Sequence, residues 1–253
     1  MVGIYFSGTG NSKYALEFFL SKYDKTAKAY TIEDKNITSH IKNNEEIIFS
    51  YPVQYSNIPK ILKDFIDDNR HLWKDKKIFV IATMGLFSGD GAGILARRLQ
   101  KYGAKIIGGL HLKMPDSIAD EKVLKRTDEK NKMLVKQAEK KIENTVQKIK
   151  NNKSPREGIG FLSHISGLFG QRLYFYNKTN HYTDKVKINV EKCVGCGKCV
   201  KLCPMKNLKT EDNFIKTENR CTMCYRCVNI CPKQAITLLG KHVVMQGTIE
   251  KYL

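Results

Sequence analysis

The first 192 residues of this 253-residue chain contain no cysteine. Thiol chemistry is confined to residues 193–231, a clustering that points to a metal site rather than a disulfide framework. No apolar run approaches the ~18 residues of a membrane span. The amino terminus enters a strand-like run at once and shows no secretory leader, so a cytoplasmic protein is expected. Acidic residues are scarce: 25 Asp+Glu stand against 44 Lys+Arg, a formal net charge of +19. The excess is spread along the chain but is denser per residue after 150. No Gly-Lys-Ser/Thr follows the glycines near the start, which excludes a Walker A loop. A dinucleotide fingerprint fails too, because Lys13 stands where the third glycine of G-x-G-x-x-G belongs. The length allows one large or two modest domains.

What is present begins at residue 7. Between a strand-like run (2–6) and a helix-like run (12–20) lies SGTGNS. Gly8 and Gly10 let the backbone turn sharply. Ser7, Thr9, Asn11 and Ser12 bring hydroxyls and an amide, and the helix points its first N–H groups back at the loop. Such a nest suits an anion, most often a phosphate held by neutral hydrogen bonds. A polar strand-to-helix turn with no ligand would read the same way.

The cysteines carry the most specific pattern. Residues 193–204 read CVGCGKCVKLCP and residues 221–232 read CTMCYRCVNICP. Each is C-x2-C-x2-C-x3-C-P, repeated at an offset of 28 residues. Paired C-x2-C motifs also bind zinc, but three evenly spaced cysteines followed by Cys-Pro, twice over, is not the usual zinc pattern. In two-cluster ferredoxins the cysteine before proline ligates the other cluster. Cys193, Cys196, Cys199 and Cys231 are thus expected to hold one [4Fe–4S] cluster, and Cys221, Cys224, Cys227 and Cys203 the second. Residues 186–240 resemble a bacterial-type two-cluster ferredoxin domain. Unlike small ferredoxins, which are more often acidic, this segment has ten Lys+Arg and four Asp+Glu. A basic cluster face favours an acidic redox partner, although a Lys-rich background would leave a similar excess.

Strand-like runs recur at 2–6, 27–32, 47–51, 77–83 and 104–112, with amphipathic runs at 12–23, 58–69 and 91–102 and a long one over about 120–150. This alternation implies an α/β fold with a parallel sheet covered on both faces. Ligands then bind at the carboxyl ends of the strands. Three loops lie there: 7–12, 50–59 and 83–93. Together they resemble those of flavodoxins, so residues 1–150 are expected to form a flavodoxin-like, doubly wound five-stranded domain of the short type. The resemblance implies FMN, its phosphate held by Ser7, Thr9, Gly10, Asn11 and Ser12. One side of the ring would be lined by Pro52, Val53, Gln54 and Tyr55, the other by Thr83, Met84, Gly85, Phe87 and Gly89. Tyr55 and Phe87 are the stacking candidates, with ordinary loop packing as the alternative. Residues 50–59 contain no glycine, which puts in doubt a peptide flip toward the flavin N5.

In the long helix, Met133, Leu134, Ala138, Ile142, Val146 and Ile149 are read as the core stripe beneath a solvated Lys-rich face. Residues 151–185 form an aromatic-rich connector with Phe161, Phe169, Tyr174, Phe175, Tyr176, Tyr182, His164 and His181, either packed against the domains or roofing the flavin pocket. Residues 186–253 hold the cluster domain and a tail. The whole resembles the flavodoxin–ferredoxin fusion proteins of anaerobes. That resemblance implies electron transfer between two [4Fe–4S] clusters and FMN, to or from redox protein partners. A ferredoxin-coupled flavin reductase of a small electron acceptor is the alternative, with Asp90 and Tyr55 the nearest candidates for a catalytic side chain. A basic nucleic-acid-binding protein with structural clusters is the weaker one, since the Lys-rich helix lacks interleaved aromatics.

Overall fold

The computed structural model describes residues 1–123, 125–167, 185–211 and 214–253. Of the connector aromatics, Phe169, Tyr174, Phe175, Tyr176 and Tyr182 lie outside the described residues, as does His181.

Five parallel strands form the first sheet: β1 (Val2–Tyr5), β2 (Ala29–Thr31), β3 (Glu46–Pro52), β4 (Lys77–Met84) and β5 (Lys105–Lys113). Their order is β2-β1-β3-β4-β5, the doubly wound order of the flavodoxin-like fold. The central strands are apolar on both faces, as a covered parallel sheet requires. Alternation sends Phe49 and Tyr51 to one face, with Leu62, Trp73 and Leu95. It sends Ile48 to the other, with Phe19, Phe79, Leu110 and Ile142.

Helix α1 (Asn11–Tyr23) buries Ser12, Ala15, Leu16, Phe19 and Leu20, one stripe at helical spacing. Gly10 precedes it at φ +95°, a left-handed turn that glycine takes without strain. The short α2 (Ile37–Lys42) follows β2, and α3 (Lys60–Asp68) and α4 (Gly91–Gln100) follow β3 and β4.

Helix α5 (Asp128–Lys150) is capped by Thr127, whose hydroxyl accepts from the Lys130 N–H. Its buried stripe is Asn131, Val135, Ala138, Ile142, Thr145 and Val146. Met133, expected in that stripe, is 58% exposed. Five residues before Ala138 is about 140° around the helix, whereas Val135 and Asn131, three and seven before, share its face.

Helix α6 (Phe161–Gly167) belongs to the connector. The small cluster domain contains two antiparallel pairs, β6 (Lys187–Ile188) with β9 (Ile236–Thr237) and β7 (Leu208–Glu211) with β8 (Phe214–Thr217). Short helices Lys198–Leu202 and Arg226–Ile230 carry the ends of the two cysteine runs. The tail leaves this domain: Ile249 and Tyr252 are buried against the α1 and α5 side of the first domain.

Candidate functional site

The sheet order reverses between β1 and β3, so the loops leaving these strands splay apart and open a cleft. Ser7, Gly8, Thr9, Asn11 and Ser12 form its floor. Ser12 Oγ and Thr83 Oγ1 are 2.8 Å apart, and Ser50 Oγ donates to the Ser12 carbonyl. These bonds tie the first loop to the sheet. Asn11 Nδ2 donates to the Pro115 carbonyl at 2.7 Å, closing the floor against the segment after β5. Ser7 Oγ, in contrast, is buried with no hydrogen-bond partner among the described residues. A buried hydroxyl left unsatisfied beside open glycine backbone is what a phosphate oxygen would complete. The site therefore fits a flavin phosphate. Gly10 lies behind the floor rather than in it, packed against Ile249.

Pro52, Val53, Gln54 and Tyr55 form one wall, and Thr83, Met84 and Gly85 another. Tyr55 and Ser56 both adopt left-handed backbone (φ 46° and 58°) in a turn closed by two bonds between Gln54 and Asn57. Phe87 and Gly89 are placed elsewhere. They line a neighbouring cleft with Leu86, His111 and Leu162, and Phe87 is 65% exposed. The β4–α4 loop turns outward after Gly85 because Ser88 and Asp90 are drawn inward and buried. Asp90 pairs with Arg97 and with His164 Nδ1. The His164 contact fastens the connector to the first domain, and Asp90 is not part of the flavin cleft.

Two further walls had no sequence signal. Residues 114–118 cross above the floor, and Met223, Cys224 and Tyr225 of the cluster domain close the opposite side. Asp116 Oδ2 is buried in the cleft with no hydrogen-bond partner among the described residues. Burial raises its pKa, with Lys125 and the backbone N–H groups of Ile118 and Ser117 opposing. Burial also raises Tyr55, reinforced by the charges of Glu121, Asp116 and Asp120.

The cysteines ring two small cavities. Cys193, Cys196, Cys199 and Cys231 line the outer one, where Cys196 is exposed. Cys203, Cys221, Cys224 and Cys227 line the inner one. Each cavity thus combines three cysteines of one run with the last of the other. Among the described residues no three His, Cys, Asp or Glu side chains converge to hold a single ion. Four thiols around a void are the donor set of a cubane. Burial pushes the Cys221 thiol up to about 12 and Cys224 to about 11. Iron binding, which takes thiolates, would therefore release protons. Cys224 lines both the inner cavity and the flavin cleft.

A family model for a flavodoxin domain matches residues 3–115, and one for a 4Fe-4S dicluster domain matches residues 185–232. The chain is a flavodoxin–ferredoxin fusion. No curated protein matches it. Among solved structures, the fusion is similar to the two-electron reduced flavodoxin of Megasphaera elsdenii, at 24% identity over 46% of this chain and 89% of that one (TM-score 0.41). Flavodoxin 2 of Bacillus cereus matches at 16% identity over 60% and 97% (TM-score 0.43). Rubredoxin oxygen:oxidoreductase of Desulfovibrio gigas matches at 16% over 58% and 35% (TM-score 0.40). The fusion is a flavin and iron–sulfur electron-transfer protein. Among its described residues no helix is long and apolar enough to cross a membrane.

The two halves of the fusion are bonded together around the cleft. Gln54 Nε2 donates to the Met223 carbonyl at 3.0 Å, and the Ile61 N–H donates to Thr222 Oγ1 at 3.0 Å. Asp120 is the centre of the junction. Its carboxylate accepts from Tyr225 Oη at 2.8 Å and from the N–H groups of Leu238, Leu239 and Gly240 at 2.6, 3.0 and 3.2 Å.

Proposed function

We propose that this protein relays single electrons between a redox partner docked at the outer cysteine cavity and an FMN in the cleft, by way of two [4Fe–4S] clusters. The observation that carries this reading is Cys224, which belongs to the inner cysteine set and to the wall of the cleft at once. When bound, the cubanes supply one-electron chemistry, and the flavin supplies an exchange of one or two electrons.

The chain's own residues do the rest. Ser7, Thr9, Asn11 and Ser12 hold the phosphate, with the Gly8 backbone. Tyr55 and Met84 flank the ring site, and Met223 to Tyr225 exclude water on the cluster side. The short helices Lys198–Leu202 and Arg226–Ile230 pack on each other, so the two cavities are neighbours. The outer set meets solvent at Cys196. The exposed apolar residues Val190, Val194, Leu202 and Ile230 and Lys192, Lys198, Lys201 and Lys233 lie close to the cysteines in sequence. An apolar centre with a basic rim suits an acidic redox protein, whose association would weaken as salt rises.

The test is cofactor content of anaerobically purified protein. The reading expects one FMN and about eight irons with matching sulfide, four per cubane. Eight irons with no flavin uptake, even with FMN added, would overturn it.

A further inference from the structure

The second cysteine run contains one residue whose side chain leaves its own domain. Arg226 lies between Cys224 and Cys227 and opens the short helix Arg226–Ile230. Its Nε and Nη2 donate to the Ser7 carbonyl at 3.2 and 2.7 Å. Its Nη1 and Nη2 donate to the two Glu33 oxygens at 2.8 and 2.6 Å. The guanidinium also lies 5.5 Å from the centre of the Phe6 ring. Only 18% of the side chain is exposed. A planar fork serving a carbonyl on one edge and a carboxylate on the other is work that lysine cannot reproduce.

We propose that Arg226 is a positioning residue that ties the flavin-phosphate loop to the inner cluster, fixing the loop with its hydrogen bonds and the cluster's potential with its charge. The proposal rests on reading residues 7–12 as the phosphate site. In a trans peptide the C=O and the following N–H point opposite ways. Holding the Ser7 carbonyl toward Arg226 therefore turns the Gly8 N–H away from it, on the side where Gly8 lines the cleft. That N–H and the unpartnered Ser7 hydroxyl become two donors set before the ligand arrives. On its other side, Arg226 lines the inner cavity together with Cys203, Cys221, Cys224 and Cys227. A fixed positive charge there favours the more negative, reduced state of whatever those thiolates hold. It does so for the inner set in preference to the outer one.

The experiment uses the full chain, purified anaerobically, with iron counted for every variant. FMN affinity is read by fluorescence quenching, and both cluster potentials by a redox titration followed by electron paramagnetic resonance. In Arg226→Gln, FMN binding is expected to weaken at least about tenfold, ~1.4 kcal/mol. One cluster potential should become more negative while the other holds. Arg226→Lys keeps the charge and loses the fork, so it should restore the potential but leave FMN binding weak. Unchanged FMN affinity in both variants, or equal shifts in both potentials, would overturn the proposal. If Arg226→Gln fails to assemble its iron, Glu33→Gln loosens the same arginine from the flavodoxin side. It should weaken FMN binding with full iron, and an unchanged affinity there also overturns the proposal. A wild-type chain that takes up no FMN sinks the phosphate-loop reading itself. Variants that bind as tightly as a flavin-binding wild type sink only the role of Arg226.

Discussion

A methyl group placed on Gly8 would lie 2.2 Å from the carbonyl oxygen of Cys224. The first loop of one domain and a cysteine of the other are therefore in backbone contact, with no space for any side chain between them. Gly8→Ala forces this contact apart, because the obstacle is main chain and not the end of a flexible side chain. FMN affinity is expected to fall at least about tenfold, ~1.4 kcal/mol, while iron content is retained. Equilibrium titration of the anaerobic variant with FMN checks this.

The crossed cysteine sets make opposite forecasts for two single changes. Cys203→Ser removes a ligand of the inner cavity although it lies in the first run. Cys231→Ser removes one of the outer cavity although it lies in the second. Loss of the inner cluster is expected to disturb FMN binding, since Cys224 shares its wall. Loss of the outer cluster should leave FMN binding intact and abolish reduction of the flavin by an external protein donor. Flavin titration and stopped-flow reduction of the two variants distinguish them.

Asp120 is a test of the junction itself. Asp120→Ala leaves the Tyr225 hydroxyl and three N–H groups without their acceptor in a buried place. Unsatisfied buried donors cost about 1–3 kcal/mol each, and relaxation recovers part of this. A loss of at least about 3 kcal/mol of stability is expected, read by denaturant unfolding under anaerobic conditions.

Asp116 gives a pH dependence. Its folded pKa is raised, chiefly by burial, so its contribution to stability is full at low pH and is lost as pH rises through the folded value. A phosphate-bearing ligand entering the cleft meets the ionised form unfavourably. Asp116→Asn should therefore bind FMN more tightly than wild type at pH 8, and the two should converge as the pH is lowered through the raised folded value. Affinities measured across that range decide it; a constant ratio would contradict the assignment.

The sheet was legible because its central strands are largely apolar runs and the weaker 27–32 run falls in step with them, and five runs alternating with amphipathic ones leave few topologies. The three-cysteine part of each set was legible because its spacing is local in the chain, whereas the crossed fourth cysteine rested on the resemblance to two-cluster ferredoxins. Phe87 was not. An aromatic in a loop at the right sheet edge looks like a stacking residue, and only the inward pull of Ser88 and Asp90 on the backbone turns it away. The walls made by 114–118 and 223–225 were invisible for a different reason. They are set by contacts between Asp120 and residues more than a hundred positions later, and no periodicity or motif encodes such a pairing. Arg226 is the same case: beside the cysteines it reads as one more basic residue, and its partners Ser7 and Glu33 belong to the other domain.

The Ile249 N–H donates to the Thr9 carbonyl at 2.9 Å, and Ile249 also backs Gly10. The phosphate loop is thus braced by a residue about 240 positions later in the chain. At about 5–20 residues per second, roughly 10–50 s of synthesis separate the two. A nascent flavodoxin sheet can form in that interval, but its ligand loop stays unbraced until the cysteine runs have been made and the tail has returned. Assembly of the cofactor site is ordered by the direction of translation, with the iron–sulfur segment emerging before the flavin site is closed.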